Sequence, residues 1–386
     1  MAIVLLVALA APAQWVECQS GTNVRLRGVS VADERIAWAV GADGTILRTE
    51  DAGMTWHIPV KGAAGVDFRD VEAINRTTAC VLAVGEGNLS RIYRTTDAGK
   101  TWTLRYTNPD PNGFLDAMAF FDRQNGLALG DPVDGRFVIL ATEDGGSTWR
   151  KLNTRGPTFP SKLAKPGSKT AAAKKSTQPA TPKANRPLPT VKVDPVMPLA
   201  LDGESAFAAS GTCLGVSDTG WAWFVTTKGR VFRSEERGRG WTVCETPVRP
   251  TNDSSGLFSV AFLDRWNGVA TGGDHKKPEA SDGPSRIVSS DGGRTWREPT
   301  AKSLPPGLRS GLAWIRPGYV PGGSGAGTLV AVGPDGVERS DDAGETWAPM
   351  TTVPGQGFHA VAFDPSGRFG VAVGENGRIA RWSPSP

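Results

Sequence analysis

The chain has 386 residues, 39% hydrophobic and 21% charged, with 48 Gly and 29 Pro: enough apolar material for a large core and too much Gly for a helical bundle. Thirteen Trp against three His and three Tyr assign the aromatic side chains to packing and leave few groups for metal or acid–base chemistry. The formal charge of +4 is unevenly spread, because residues 155–198 hold seven Lys and two Arg against Asp194, a net of +8 that leaves −4 on the remainder. A body so charged argues against nucleic-acid binding, which rests on Lys and Arg neutralising phosphates.

No apolar run reaches the roughly 18 to 20 residues that cross a bilayer. Residues 1–13 form an apolar stretch ending in Ala11-Pro12-Ala13, the small-residue pattern of a secretory signal, so an exported protein, periplasmic or secreted, is expected. A first core strand is the competing reading. Residues 14–22 then read as a strand with Trp15 where later units place a Trp.

A sentence of the form Ser/Thr-x-Asp-x-Gly-x-Thr-Trp follows six times. Its Asp positions are Asp51, Asp97, Asp144, Asp291 and Asp342, and a degraded copy has Glu236 for Asp and Gly240 for Thr. Most copies follow an apolar stretch, a Gly pair and a β-branched stretch, as in residues 37–48. That is strand, tight turn, strand, with Gly supplying positive φ. The Asp then reads as a turn residue whose carboxylate accepts backbone N–H bonds, and the Trp as the start of the next strand, its ring against the adjacent unit.

The repeat Trp residues are 46, 47, 92, 55 and 51 apart, and units of about 45 residues with four strands each are the period of a β-propeller. The 92 is one interval plus the Lys/Pro/Ala-rich residues 155–198, a composition that buries no core and reads as a disordered insert between the third and fourth units. The last unit, from Val371 to Arg381, lacks its fourth strand, which residues 14–22 would supply. Closing the ring this way removes two raw sheet edges. The expected fold is therefore all-β, a seven-bladed propeller of four-stranded antiparallel blades.

The motif resembles the Asp-box, or BNR repeat, of sialidases, sortilin-type receptors and the photosystem II stability and assembly factor family; the spacing and the Gly-x-x-Gly-x-Ile-x-Arg lead-in are most similar to the last. That resemblance implies a protein-binding or assembly scaffold with no cofactor. The alternative it implies is a sialidase-like glycoside hydrolase or glycan-binding propeller. Sialidases need a Tyr nucleophile and three Arg, and the three Tyr here are Tyr93, Tyr106 and Tyr319, with no Phe/Tyr-Arg-Ile-Pro signature. An enzyme is thus the weaker reading.

The first residues of each innermost strand face the channel mouth. Aligning the units puts Arg27, Arg69, Asp116, Phe258, Arg309 and His359 on one ring, a candidate site for a protein or acidic glycan, with surface ion pairing as the competing reading. Two irregular segments, 130–136 and 272–278, replace a two-residue turn by a longer polar loop and bring Asp131, Asp134, Asp274 and His275 as further ligand candidates. No ligand spacing for a metal is present. Cys18, Cys80, Cys213 and Cys244 pair or stay as thiols. A monomer that does not span a membrane is expected.

Overall fold

The computed structural model describes residues 14–58, 65–153, 196–280, 285–301, 305–316, 327–350 and 356–383. The expected signal and residues 155–195 of the insert lie outside them. Short apolar runs between Gly-containing turns make 26 strands in seven antiparallel sheets, and the described helical residues amount to two single 3₁₀ turns. The first strands of the sheets are Leu26–Val31, Asp67–Ala73, Leu115–Phe120, Leu214–Val216, Ser255–Phe262, Gly311–Ile315 and Phe358–Phe363, which begin blades 1 to 7. Each contacts the first strand of the next blade, and that of blade 7 contacts that of blade 1. The chain is a closed seven-bladed β-propeller. Blades 1 and 5 have three named strands, their fourth reduced to the bridges Arg48–His57 and Val288–Arg297.

Closure comes from the two ends of the chain. Gln14–Cys18 pairs antiparallel with Ile379–Ser383, Trp15 opposite Trp382, and becomes the outer strand of blade 7. Trp15 is 3% exposed, with ring centroids 5.6 Å from Trp382 and 5.9 Å from Phe363. The seam is thus both a hydrogen-bonded ladder and an aromatic cluster.

Five innermost strands carry a β-bulge at one shared position, where Arg27, Arg69, Asp116, Phe258 and His359 are the unmatched residues. A bulge re-aims a side chain and bends the strand. Across the ladder sits a Gly in blades 1, 3, 5 and 7, and Ala83 in blade 2. At Gly41, Gly130, Gly272 and Gly374 an added Cβ would overlap the carbonyl oxygen of Arg25, Phe114, Gly256 or Gly357 on the incoming chain. The first Gly of the sequence pair is therefore there for close backbone approach. In blade 1 the positive φ belongs to the turn residues Asp43 and Gly44, at 55° and 67°.

In the turn at Asp51, Oδ1 accepts the Thr55 N–H (2.9 Å) and the Thr49 hydroxyl (2.8 Å), Oδ2 accepts the Thr55 hydroxyl (2.7 Å), and the Gly53 N–H goes to the Thr49 hydroxyl (2.9 Å). The same set recurs at Asp97, Asp144, Asp291 and Asp342. At Glu236 only the Ser234 hydroxyl takes part, accepting the Glu236 and Gly238 N–H groups. Behind the turns, Trp56 packs against Phe369 and Val371 of blade 7, and Trp347 against Val269 and Val288 of blade 5. Each turn thus places a Trp wedge on the preceding blade.

Burial works against the Asp51 charge, but the Thr55 N–H and hydroxyl and the Thr49 hydroxyl outweigh it and hold the carboxyl below its ordinary range. A carboxylate with a lowered folded pKa stabilises above its unfolded pKa, and that stability is lost as acid protonates it in the fold.

Two outcomes are expected in urea unfolding. Trp15→Ala should destabilise the whole ring cooperatively by about 3 to 5 kcal/mol, the range for truncating a buried aromatic. Asp51→Ala should cost about 1 kcal/mol for its lost acceptor and Glu236→Ala less than about 0.5 kcal/mol as a surface change. The gap between Asp51→Ala and the parent should close as pH drops below the ordinary carboxyl range.

Candidate functional site

The chain entering blade 4 does not run around the rim. Glu204, buried in an ion pair with Arg230, also accepts the Leu201 N–H (2.8 Å) and the Thr226 hydroxyl (2.6 Å) and anchors the segment. Beyond it, the Ala206 N–H donates to Asp131 of blade 3 (2.9 Å), and the Phe207 ring stacks on Phe258 of blade 5 at 3.7 Å. Arg69 of blade 2 donates to the Ala208 carbonyl (3.2 Å), and the Ser210 hydroxyl donates to the Ser310 carbonyl beside blade 6 (2.6 Å). A segment that touches blades 2, 3, 5 and 6 within five residues lies across the ring axis. Sequence reasoning missed it, since Ala206-Phe207-Ala208-Ala209-Ser210-Gly211 carries no repeat signal. Its one trace is the run of small residues that lets side chains of the ring reach its backbone.

Around this axial segment the ring positions separate into distinct environments. His359, Arg27 and Arg69 fall on blades 7, 1 and 2, joined by Arg25, which sequence reasoning also missed. Glu375 takes both Arg25 (2.8 Å) and His359 Nε2 (2.8 Å), and Asp67 takes Arg69 Nε (2.8 Å). Arg27 makes no ion pair among the described residues. Its burial, then the charges of Arg69 and Arg25, outweigh the opposing charges of Asp67 and Glu375 and bring its pKa down to about 10, so it stays charged. Burial, with Arg27 adding to it, overrides the Glu375 bond and lowers His359 to about 4, which leaves the imidazole neutral at pH 7.

On blades 2 and 3 the buried groups are acids. Asp70, 4% exposed, is raised to about 7 by burial against the opposing bonds from the Met118 (2.5 Å) and Val71 (2.8 Å) N–H groups. Burial raises Asp131 to about 6 despite its bond from Ala206. Asp116 is 1% exposed, its Oδ2 has no hydrogen-bond partner, and burial followed by the Asp131 charge keeps its carboxyl well above the ordinary range.

Arg309 stands apart from the cationic arc. It pairs with Glu338 and with Asp335 (2.6 Å), and Arg286 reaches the same Glu338 at 2.7 Å. All but Asp335 are almost fully buried, so this is an ion cluster between blades 5 and 6. The segment 130–136, expected as a loop, is instead strand: Gly126–Val133 pairs with Arg136–Thr142 through a bulge at Asp131 and a two-residue Asp134–Gly135 turn. Asp274 accepts the Ser254 hydroxyl (2.6 Å), the Asn252 amide (3.0 Å) and the Lys276 N–H (2.8 Å), which outweigh burial and lower it to about 2. His275 lies edge-on to Phe207 and Phe258. Tyr93 packs edge-on against Phe68 in the core, and all four Cys are free thiols. Among the described residues no group of three or more His, Cys, Asp or Glu could hold a metal ion, and no helix is long and apolar enough to cross a membrane.

These features define a class, the closed seven-bladed propeller whose axis is crossed by its own chain. No protein-family model matches the sequence, and no curated protein matches it. Solved structures do share the fold. The structure of YCF48 bound to D1 peptide has a TM-score of 0.58 at 16% identity, covering 97% of each chain. YCF48 from Cyanidioschyzon merolae gives 0.60 at 17%, over 96% of this chain and 99% of that one. The Cps50 (Swd1) β-propeller domain of Myceliophteria thermophila gives 0.54 at 11%, over 96% and 99%.

The ion cluster has a testable consequence. Glu338→Gln should destabilise the protein by about 3 kcal/mol or more, because it leaves the buried Arg286 without its carboxylate and Arg309 with Asp335 alone. Calorimetry should show the loss with no change in anion binding at the blade 7–1–2 arc.

Proposed function

We propose that the protein is a binding scaffold, without chemistry of its own, that captures an acidic segment of a partner protein on the arc formed by Arg25, Arg27 and Arg69. The observation that supports this most is Arg27, a largely buried guanidinium with no direct ion pair among the described residues, whose nearby acids Asp67 and Glu375 are already engaged by Arg69 and Arg25. Such a charge is costly unless something anionic completes it. A carboxylate does so with bidentate geometry. The fold shared with a YCF48 that was solved with a peptide bound adds support for a peptide as the ligand. Export, expected from residues 1–13, belongs to the same proposal and places the partner outside the cytoplasm.

A fluorescent peptide ending in Asp/Glu residues and a free carboxylate serves as the probe, with an oligogalacturonate of equal charge as competitor. Arg27→Ala should weaken peptide binding about tenfold, near 1.4 kcal/mol, and flatten its salt dependence. Melting should hardly change. Unchanged peptide affinity, or competition by the oligogalacturonate at lower concentration than by unlabelled peptide, would overturn the reading, the latter in favour of an acidic glycan.

A further inference from the structure

The segment across the axis lies against buried carboxyls, whose ionisation its coverage disfavours by keeping them from water. Its Ala206 N–H is bonded to Asp131 (2.9 Å), and Gly211 lies so close against the Asp70 carboxylate that a Cβ there would overlap Oδ1. Its Ala208 carbonyl takes Arg69, the neighbour of Asp70 in sequence. Asp116, with its orphaned Oδ2, completes a set of three carboxyls drawn from blades 2 and 3 under one short strap. On the other side of the segment the rings of Phe258 and His275 face Phe207.

We infer that residues 204–212 form a pH-operated strap, seated across the propeller axis while the carboxyls of Asp70, Asp116 and Asp131 are protonated and released when they ionise. Arg69 and Glu72 come from the Asp70 strand, with Glu72 itself raised by burial and then by Asp70. Cys213 comes from blade 4, and its thiol is pushed up by burial and then by Asp116, Asp70 and Asp131. Arg27 lies beyond Arg69. Only Arg69 offsets the acids directly, and it is shared with Asp67 and the Ala208 carbonyl.

The direction follows from linkage. With the strap seated, Asp70 titrates at about 7 and Asp131 at about 6. With the strap away, water reaches them and they approach the ordinary value near 4. The seated state therefore binds more protons, is most stable below about pH 4, and weakens as pH rises toward 7. Solvent already reaches the start of the strap, since a cleft of about 570 Å³ is lined by Asp131, Pro132, Glu204 and Ser205. Release would uncover Phe258 and free Arg69 from the Ala208 carbonyl. The strap's motion itself does not depend on the acidic partner proposed above.

Hydrogen exchange of the full chain, without ligand, tests this at pH 5 and pH 8 with rates corrected for intrinsic exchange. Peptides covering 204–212 should lose at least about tenfold in protection at pH 8, given the two titrations, while those covering Ala79–Val84 keep theirs. Asp131→Asn, at a half-buried position, and Asp70→Asn should each reduce the pH dependence. Equal protection at both pH values would overturn the inference. So would parallel loss in Ala79–Val84, which signals global unfolding, or a parental pH profile in both variants.

Discussion

The pairing of Gln14–Cys18 with Ile379–Ser383 is the constraint on which everything else rests. Six blades and three strands of a seventh make an open fan with a raw edge at each end, and an unpaired edge is exposed to water and to other chains. Once the first strand of the described chain completes the last sheet, each inner strand has two neighbours and all seven are fixed at once. The relative positions of Arg25, Arg27 and Glu375, contributed by opposite ends of the sequence, exist only because of this seam. The Arg25–Glu375 pair spans it directly.

A closed ring brings inner strands together at a crowded axis, and the bulge is the local answer. The unmatched residue in five inner strands gives the ring a recurring position that the ladder does not dictate. In four of these blades the facing residue is a Gly, whose missing Cβ leaves room for the incoming carbonyl, and in blade 2 Ala83 takes that place. Identity at the bulge is thus free to vary: Arg in blades 1 and 2, Asp in blade 3, Phe in blade 5, His in blade 7. The scaffold repeats while its functional position does not.

This division explains what could be read from the sequence. The turns were legible because Asp, Gly and Thr each satisfy a backbone demand that returns in every blade, and the Trp wedge behind them sets the period. Five ring positions were legible by aligning the innermost strands, and each is the unmatched residue of a bulge, whereas Arg309 belongs to the ion cluster. Their partners were not: Glu338 holds Arg309 from another strand of blade 6 and Glu375 holds His359 from beyond the next strand, relations that need the folded ladder. The axial segment was least legible, for it belongs to no repeat. The polar stretch at 130–136 misled because Asp-Pro and Asp-Gly are turn vocabulary, whereas here a bulge lets Asp131 interrupt the strand and reach the Ala206 N–H.

The charges near the axis gain meaning from their segregation. Cations gather on blades 7, 1 and 2, where Arg25 is half exposed and can be hydrated, while the acids on blades 2 and 3 are buried and held largely protonated at low pH. Ionised, those acids would sit close enough to draw Arg69 and weaken the field that an anion meets at Arg27. Protonated, they leave that field intact. The strap lies against Asp70 and meets Asp131, and the segment that crosses the axis also takes up Arg69, the cation between the two arcs. Closure by the chain ends, bulging at the axis and coverage by the strap are therefore successive conditions for one electrostatic arrangement, each fulfilled by backbone geometry before any ligand arrives.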